Sequence, residues 1–370
     1  MRVLITGAGI GGLTAALSLH AMGIDAVVLE AAREIRPLGV GINLLPHAVG
    51  ELTALGLGDE LAAIGIATTE NVYCDHTGTD LFTEPRGLAG GYRWPQYSVH
   101  RGQLQRMLLT AVEARGIPVR TGSRVTGFEQ DDDCVRAAGI EADVLVGADG
   151  LHSAIRAQLH PGEGPLNWSG VRMCRGITET GPFRTGRTMI IARGPGDAEL
   201  IAYPIGPATI NWVAMVAVAP PGPLPGDADW NTPGSAEDVV PYFGWDLGWL
   251  DVPRLITDSE RIFAYPMVDR DPLPHWGHGR VTLLGDAAHP MYPVGANGAS
   301  QAIVDARSLA AALSTETLAV YEKTRREETA AVIAANREMQ RTGHARTAGE
   351  LAHITDTYRR DTRADTLRGA

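Results

Sequence analysis

Apolar residues occur along this chain in three patterns: short unbroken runs, strict alternation and helical spacing. Residues 3–5 (Val-Leu-Ile) form a short apolar run, as a strand buried on both faces of a parallel sheet requires. Leu13, Leu17 and Ala21 then fall on one face of a helix over residues 13–23, and residues 27–29 form a second apolar run that ends on Glu30. Residues 46–55 read as a short helix. From 71 to 97 the pattern alternates and is dotted with Val72, Tyr73, Phe82, Tyr92, Trp94 and Tyr97, which predicts strands of a second unit. Helical spacing returns after His100, with Leu104, Leu108 and Val112 on one face and Arg101 and Gln105, four apart, on another.

A strand near Val119 and a hairpin across Asp131, Asp132 and Asp133 come next. The acidic triplet lacks metal-ligand spacing and reads as a solvated turn. An apolar strand then runs into Asp149-Gly150 and a helix. Alternation resumes over 166–270, clearest at 189–192, 200–203 and 211–216, with a Pro/Gly-rich surface connection at 220–226. Residues 280–284 are another buried strand, ahead of Gly285-Asp286 and a glycine-spaced helix start. From 300 to 341 the spacing is helical and Ala-rich, and the segment to 370 reads as one further helix. The expected fold class is α/β: a Rossmann-like unit over 1–70, 98–165 and 271–334, interleaved with a β-sheet unit over 71–97 and 166–270, with C-terminal helices over 335–370.

The length of 370 residues favours two intertwined units over a single core. A formal net charge of −11, with no cluster of Lys and Arg, argues against nucleic acid. No apolar stretch reaches membrane-spanning length, and the opening segment lacks a basic leader and a cleavage site, so no membrane partner is expected. Cys74, Cys134 and Cys174 are scattered and odd in number, which fits buried thiols in a reducing cytoplasm rather than a metal or redox motif.

The chemistry gathers at three strand ends. Gly7, Gly9 and Gly12 stand in G-x-G-x-x-G register after the first strand. There Gly7 turns the chain, Gly9 admits a pyrophosphate and Gly12 lets helix and strand pack closely. The following helix points its free N–H groups at phosphate, and Glu30 is placed to accept from ribose hydroxyls. Asp149-Gly150 and Gly285-Asp286 close two more buried strands. In an open parallel sheet ligands bind beyond such ends, and three of them suit a cofactor longer than NAD.

These three motifs resemble those of the flavin-dependent aromatic hydroxylases, the single-component FAD monooxygenases with the p-hydroxybenzoate hydroxylase fold. The resemblance spans nearly the whole chain. The segments starting at Arg36, Tyr97, Tyr265 and Met291 are similar to those of phenazine-modifying members. It implies that Gly9, Gly11 and Gly12 hold the FAD pyrophosphate, Glu30 the adenosine ribose, and Arg101 and Gln105 the middle of the cofactor. Asp286 is implied at the ribitol or pyrophosphate. Gly295, Ala296, Asn297 and Gly298 are implied along the pyrimidine edge of the flavin, and Asp149 behind the pyrophosphate. The family's helix start is Gly-Gln-Gly-x-Asn-x-Gly, and this chain departs from it. There is no second dinucleotide fingerprint, so NADH or NADPH would dock transiently. The implied reaction uses O2 and a flavin C4a-hydroperoxide to hydroxylate an aromatic substrate, with or without decarboxylation, in a monomer or homodimer.

A helix starting near Asn297 would place its positive end where reduced flavin carries negative charge. The substrate pocket must exclude water, which suggests Tyr97, Tyr203, Trp212, Met215 and Pro293 as its walls, although strand aromatics also build cores. His289 is either a base or a residue that orients its loop, and Pro293 is the other candidate near the chemistry. Arg172 and Arg193 either meet a substrate carboxylate or are solvated; Arg33 either reaches phosphate or sits in a solvated loop. His152 and Arg156 read as structural. Two other classes stay open: a flavin oxidoreductase or cyclase that inserts no oxygen, and a non-catalytic flavin-binding protein.

Overall fold

The computed structural model describes residues 1–36, 39–229, 232–315, 317–342 and 347–362. Pro37 and Leu38 of the Arg36 segment, and parts of the 335–370 segment, lie outside the described residues.

The short apolar runs assemble into a five-stranded parallel sheet. Its order is Val281–Leu283, Val144–Gly147, Arg2–Thr6, Asp25–Leu29 and Val119–Arg120. Ile5 lies level with Val146 on one side and Val28 on the other. Helices Ile10–Ala21 and Gly298–Thr315 pack against each other beside it. Leu13, Leu17, Val28, Leu145, Leu283, Ile303 and Leu309 share one buried cluster there. Each such side chain contributes roughly 1.5–3 kcal/mol of hydrophobic stabilisation.

The alternating segments form a nine-stranded sheet built round Asn167–Glu179, Thr209–Ala217, Glu199–Gly206 and Thr188–Arg193. Side chains two apart share a face, so position parity sorts them. Even-numbered Cys174, Ile190, Leu200, Ala202, Ile210, Trp212 and Ala214 pack under a layer that includes Val239, Phe243, Val252, Leu255 and Ile256. Odd-numbered Met173, Met189, Ile191, Tyr203, Val213 and Met215 face a cavity between the two sheets.

Several segments differ from expectation. The helical spacing over 300–341 resolves into two helices, Gly298–Thr315 and Leu318–Thr342. Helices Ala236–Val239 and Val252–Thr257 interrupt the strand-like region, and Gly58–Ile64 adds another. Gln96–His100 pairs with Gly41–Leu44 and Gly65–Thr68 in a small separate sheet. The acidic triplet is a turn: Asp131 accepts the N–H groups of Asp133 and Cys134, each at 2.9 Å. Among the described residues no helix is long and apolar enough to cross a membrane.

Candidate functional site

Three corners meet because their strands are neighbours in the parallel sheet. Just past the strand ends, Gly7 N–H donates to Leu29 O (2.7 Å), Ala148 N–H to Thr6 O (3.0 Å) and Leu284 N–H to Gly147 O (2.9 Å). The chain therefore leaves the sheet at one level on all three, and a cavity of about 660 Å³ opens there.

The glycines of the first corner divide the work. Gly7 has φ +97°, and a Cβ on it would lie 2.5 Å from Ala148 O. A Cβ on Gly12 would lie 2.0 Å from Gly7 O, so Gly12 serves helix–strand packing and lies outside the cavity lining. Gly9 and Gly11 do line the cavity, and a Cβ on Gly9 would meet nothing within 4 Å. Gly9 caps helix Ile10–Ala21 without a side-chain hydrogen bond, leaving the first N–H groups for a ligand.

The acids and the amide act partly on the protein itself. Glu30 accepts from Ala8 N–H and Ala32 N–H, both at 2.8 Å, which fixes the glycine turn. Both Glu30 oxygens are used in this way, and Glu30 does not line the cavity, so the structure places it behind the turn. Gln105 donates to Ala8 O at 2.7 Å and does not line the cavity, so it braces the turn from behind. Asp149 accepts from Ser153 Oγ (2.5 Å) and Ala154 N–H (2.8 Å), tying down the start of helix Ala154–Leu159. Its neighbours Ala148 and Gly150 line the cavity in its place.

Arg101 and Asp286 both line the cleft, and neither side chain makes a hydrogen bond or ion pair among the described residues. Burial lowers the Arg101 pKa and nearby Arg175 adds to that, while Asp286 opposes it. Asp286 is exposed to the cleft but enclosed by protein around it. Burial raises its pKa against the pull of His289 and Arg101. Gly295, Ala296, Asn297 and Gly298 line the cavity beside it, ahead of helix Gly298–Thr315. Ala296 holds φ +58°, a left-handed conformation that costs a non-glycine residue of order 1 kcal/mol.

His289 is not available as a base towards this cavity. It is 2% exposed, does not line the cavity, and its Nε2 lies 2.6 Å from Asp305 Oδ2. Asp305 also accepts from Arg325 Nε (2.7 Å) and from Gly285 N–H (3.0 Å), so this buried group holds the third corner in place. Burial alone would raise the Asp305 pKa, but His289 and Arg325 hold it down to about 2. Arg156 is structural too, bonding Ala287 O and Ala288 O at 2.9 Å each, and His152 Nε2 lies 2.6 Å from Ala228 O.

On the sheet side Tyr203, Met215 and Pro293 line the cavity. Trp212 does not. It sits at an even position, fully buried on the opposite face, and donates to Ser259 Oγ at 2.8 Å. Tyr97 also points elsewhere: it packs on the core of the parallel-sheet unit, while its neighbour Gln96 lines the cavity. Arg172, again even, bonds Asp238 O at 3.3 Å away from the cavity. Arg193 lines the cavity and donates to Glu199 at 2.7 Å.

The structure adds cavity residues that no sequence motif marks. Arg175 stacks 4.2 Å from the Tyr265 ring centre, and both line the cavity. Their odd numbers, in phase with Met173 and Met215, were the available signal. His47 lines the cavity with a buried Nε2 that has no partner among the described residues. Helix Ala348–Asp361 adds Thr355, Tyr358 and Arg359. The Tyr358 hydroxyl bonds Asn297 Nδ2 and donates to Asn336 Oδ1 (2.6 Å), and it fills the space that a Cβ on Gly295 would need.

A family model described as "FAD binding domain" matches residues 1–336. The chain is 52% identical to phenazine 1,6-dicarboxylic acid hydroxylase PhzS of Lysobacter antibioticus, covering 96% of each. It is 35% identical to 3-hydroxybenzoate 6-hydroxylase 1 of Aquipseudomonas alcaligenes, covering 85% of this chain and 81% of that one. Among solved structures, Klebsiella pneumoniae HpxO complexed with FAD and uric acid superposes with a TM-score of 0.80 at 26% identity, covering 99% of this chain and 95% of that chain.

Proposed function

Since the chain belongs to the FAD-binding family of flavin-dependent monooxygenases, we propose that it hydroxylates a carboxylated polycyclic aromatic of the phenazine class with NAD(P)H and O2. The observation that carries this reading is one continuous cavity. It runs from the Gly9–Gly11 cradle, past the start of helix Gly298–Thr315, to an apolar and aromatic sheet wall. The similarity to a phenazine dicarboxylic acid hydroxylase over nearly full length supports the substrate class.

FAD suits the residues present. Open space at Gly9, the uncapped helix start, the unpartnered Arg101 and the open Asp286 carboxylate offer donors, a counter-charge and an acceptor along one line. Gly9 and Gly11 would hold the pyrophosphate, Arg101 its charge and Asp286 a sugar hydroxyl. When bound and reduced, FAD supplies an electrophilic oxygen atom derived from O2.

The protein's part is electrostatic and steric. The free N–H groups at the start of the 18-residue helix Gly298–Thr315 stabilise negative charge at the flavin edge. Met173, Val213, Met215 and Tyr265 exclude water from the reacting face. The Tyr203 phenol is protonated at neutral pH, burial raises its pKa further, and it can donate to a substrate oxygen. The buried free thiols Cys74, Cys134 and Cys174 support the cytoplasm as the place of action.

The test is turnover of a phenazine carboxylate by the yellow purified protein with NADH or NADPH under isotopically labelled O2. Label in the product, with its mass reporting whether the carboxylate stays, is the expected result. Substrate oxidation without label would replace this reading with the oxidoreductase one.

A further inference from the structure

Away from the cofactor cradle, the cavity ends in an uneven set of charges. Arg86 and Arg359 both line it, and both turn to one carboxylate, Glu84, at 3.1 and 3.9 Å. Glu84 is 3% exposed, so its charge is committed inside the protein. The second partner of Arg359 is Asp356, on the same helix and largely exposed, where pairing is weakened by water. Arg359 Nε is buried with no partner among the described residues, and Arg86 spends its own Nε on Gln96 at 2.9 Å. The neighbouring Arg193 has its own carboxylate in Glu199. Two guanidiniums thus share the Glu84 carboxylate, which lines the cavity with them, while Asp356 balances the second charge from the solvent side and Arg359 Nε stays an unused buried donor. Tyr73, Tyr92 and Tyr358 line the same end.

We propose that Arg359, with Arg86, forms an anion subsite that takes a carboxylate of the substrate, making the C-terminal helix a specificity element. This rests on the functional reading above and adds the end of the cavity to which the substrate's charge is directed. A planar aromatic acid would lie against the tyrosines, with its carboxylate at the guanidiniums and its far ring towards Asn297. An Arg–carboxylate contact in a site shielded from water is strong enough to rank ligands that differ only in that group.

The experiment titrates phenazine-1-carboxylate and unsubstituted phenazine into the FAD-loaded protein, following the change in flavin absorbance. The proposal expects the wild type to prefer the acid by about tenfold or more. Arg359→Gln should remove that preference, leave the Kd of unsubstituted phenazine within about twofold, and keep FAD content and Tm. Arg359→Lys should restore part of the preference. Equal Kd values for the two ligands in the wild type, an unchanged preference in Arg359→Gln, or equal weakening of both ligands would overturn the subsite and leave the hydroxylase reading standing. If neither phenazine perturbs the flavin, the substrate class falls, and the subsite with it.

Discussion

Asn211 Oδ1, on a strand of the large sheet, accepts the Gly41 N–H at 2.6 Å and so ties strand Gly41–Leu44 to the large sheet across the cavity. Asn211 is fully buried. Asn211→Ala would leave that N–H without an acceptor, a cost of about 1–3 kcal/mol. Urea denaturation of the purified protein should show the loss, and a change below about 0.5 kcal/mol would show that the tie is idle.

The two packing modes in the first corner separate under mutation. Gly9→Ala puts a methyl into the open space proposed for the pyrophosphate, so the chain should fold and lose FAD affinity by tenfold or more, about 1.4 kcal/mol. Gly12→Ala drives a methyl into Gly7 O and should fail to fold or melt far earlier. Retained flavin absorbance after gel filtration and Tm report the two effects, and a Gly9→Ala protein that keeps full FAD would contradict the cradle.

Parity on the large sheet gives a third contrast. Trp212→Ala hollows the buried face and should cost about 3–5 kcal/mol while sparing the affinity for aromatics. Met215→Trp fills the cavity and should raise the KM or Kd for aromatics at least about tenfold, with Tm nearly kept. Swapped outcomes would mean that the faces are assigned the wrong way round.

His47 makes stability depend on pH. Burial, reinforced by the Arg325 charge, lowers its pKa from 6.5 to about 4. Between these values the unfolded chain binds the extra proton, so stability is complete above about pH 6.5 and falls as the pH drops towards 4. The full separation corresponds to at most about 3 kcal/mol, and water reaching the half-buried ring reduces it. Urea midpoints across this range should decline in the wild type and flatten in His47→Asn; parallel curves would remove His47 as the cause.

The parallel sheet and its three corners were legible because each is local: an apolar run, then a glycine or an acid, within a few residues. Parity was legible as well, yet the sequence reading grouped Trp212 with Met215 although an odd spacing sends them to opposite faces. Glu30, Gln105 and Asp149 were expected at the cofactor, but the structure shows them bracing the protein, and no local pattern reports that. The roles of Tyr358 and Arg359 were out of reach. They depend on how the last described helix crosses to Asn297 and Glu84, a contact between distant parts of the chain that leaves no periodic trace.

The Tyr358 hydroxyl over Gly295 also bears on how the enzyme is made. During synthesis the glycine turn emerges early, but this side of the cavity is unwalled until the ribosome has released residue 358. Fragments ending before that helix should bind flavin more loosely, and a tag that displaces it should have the same effect.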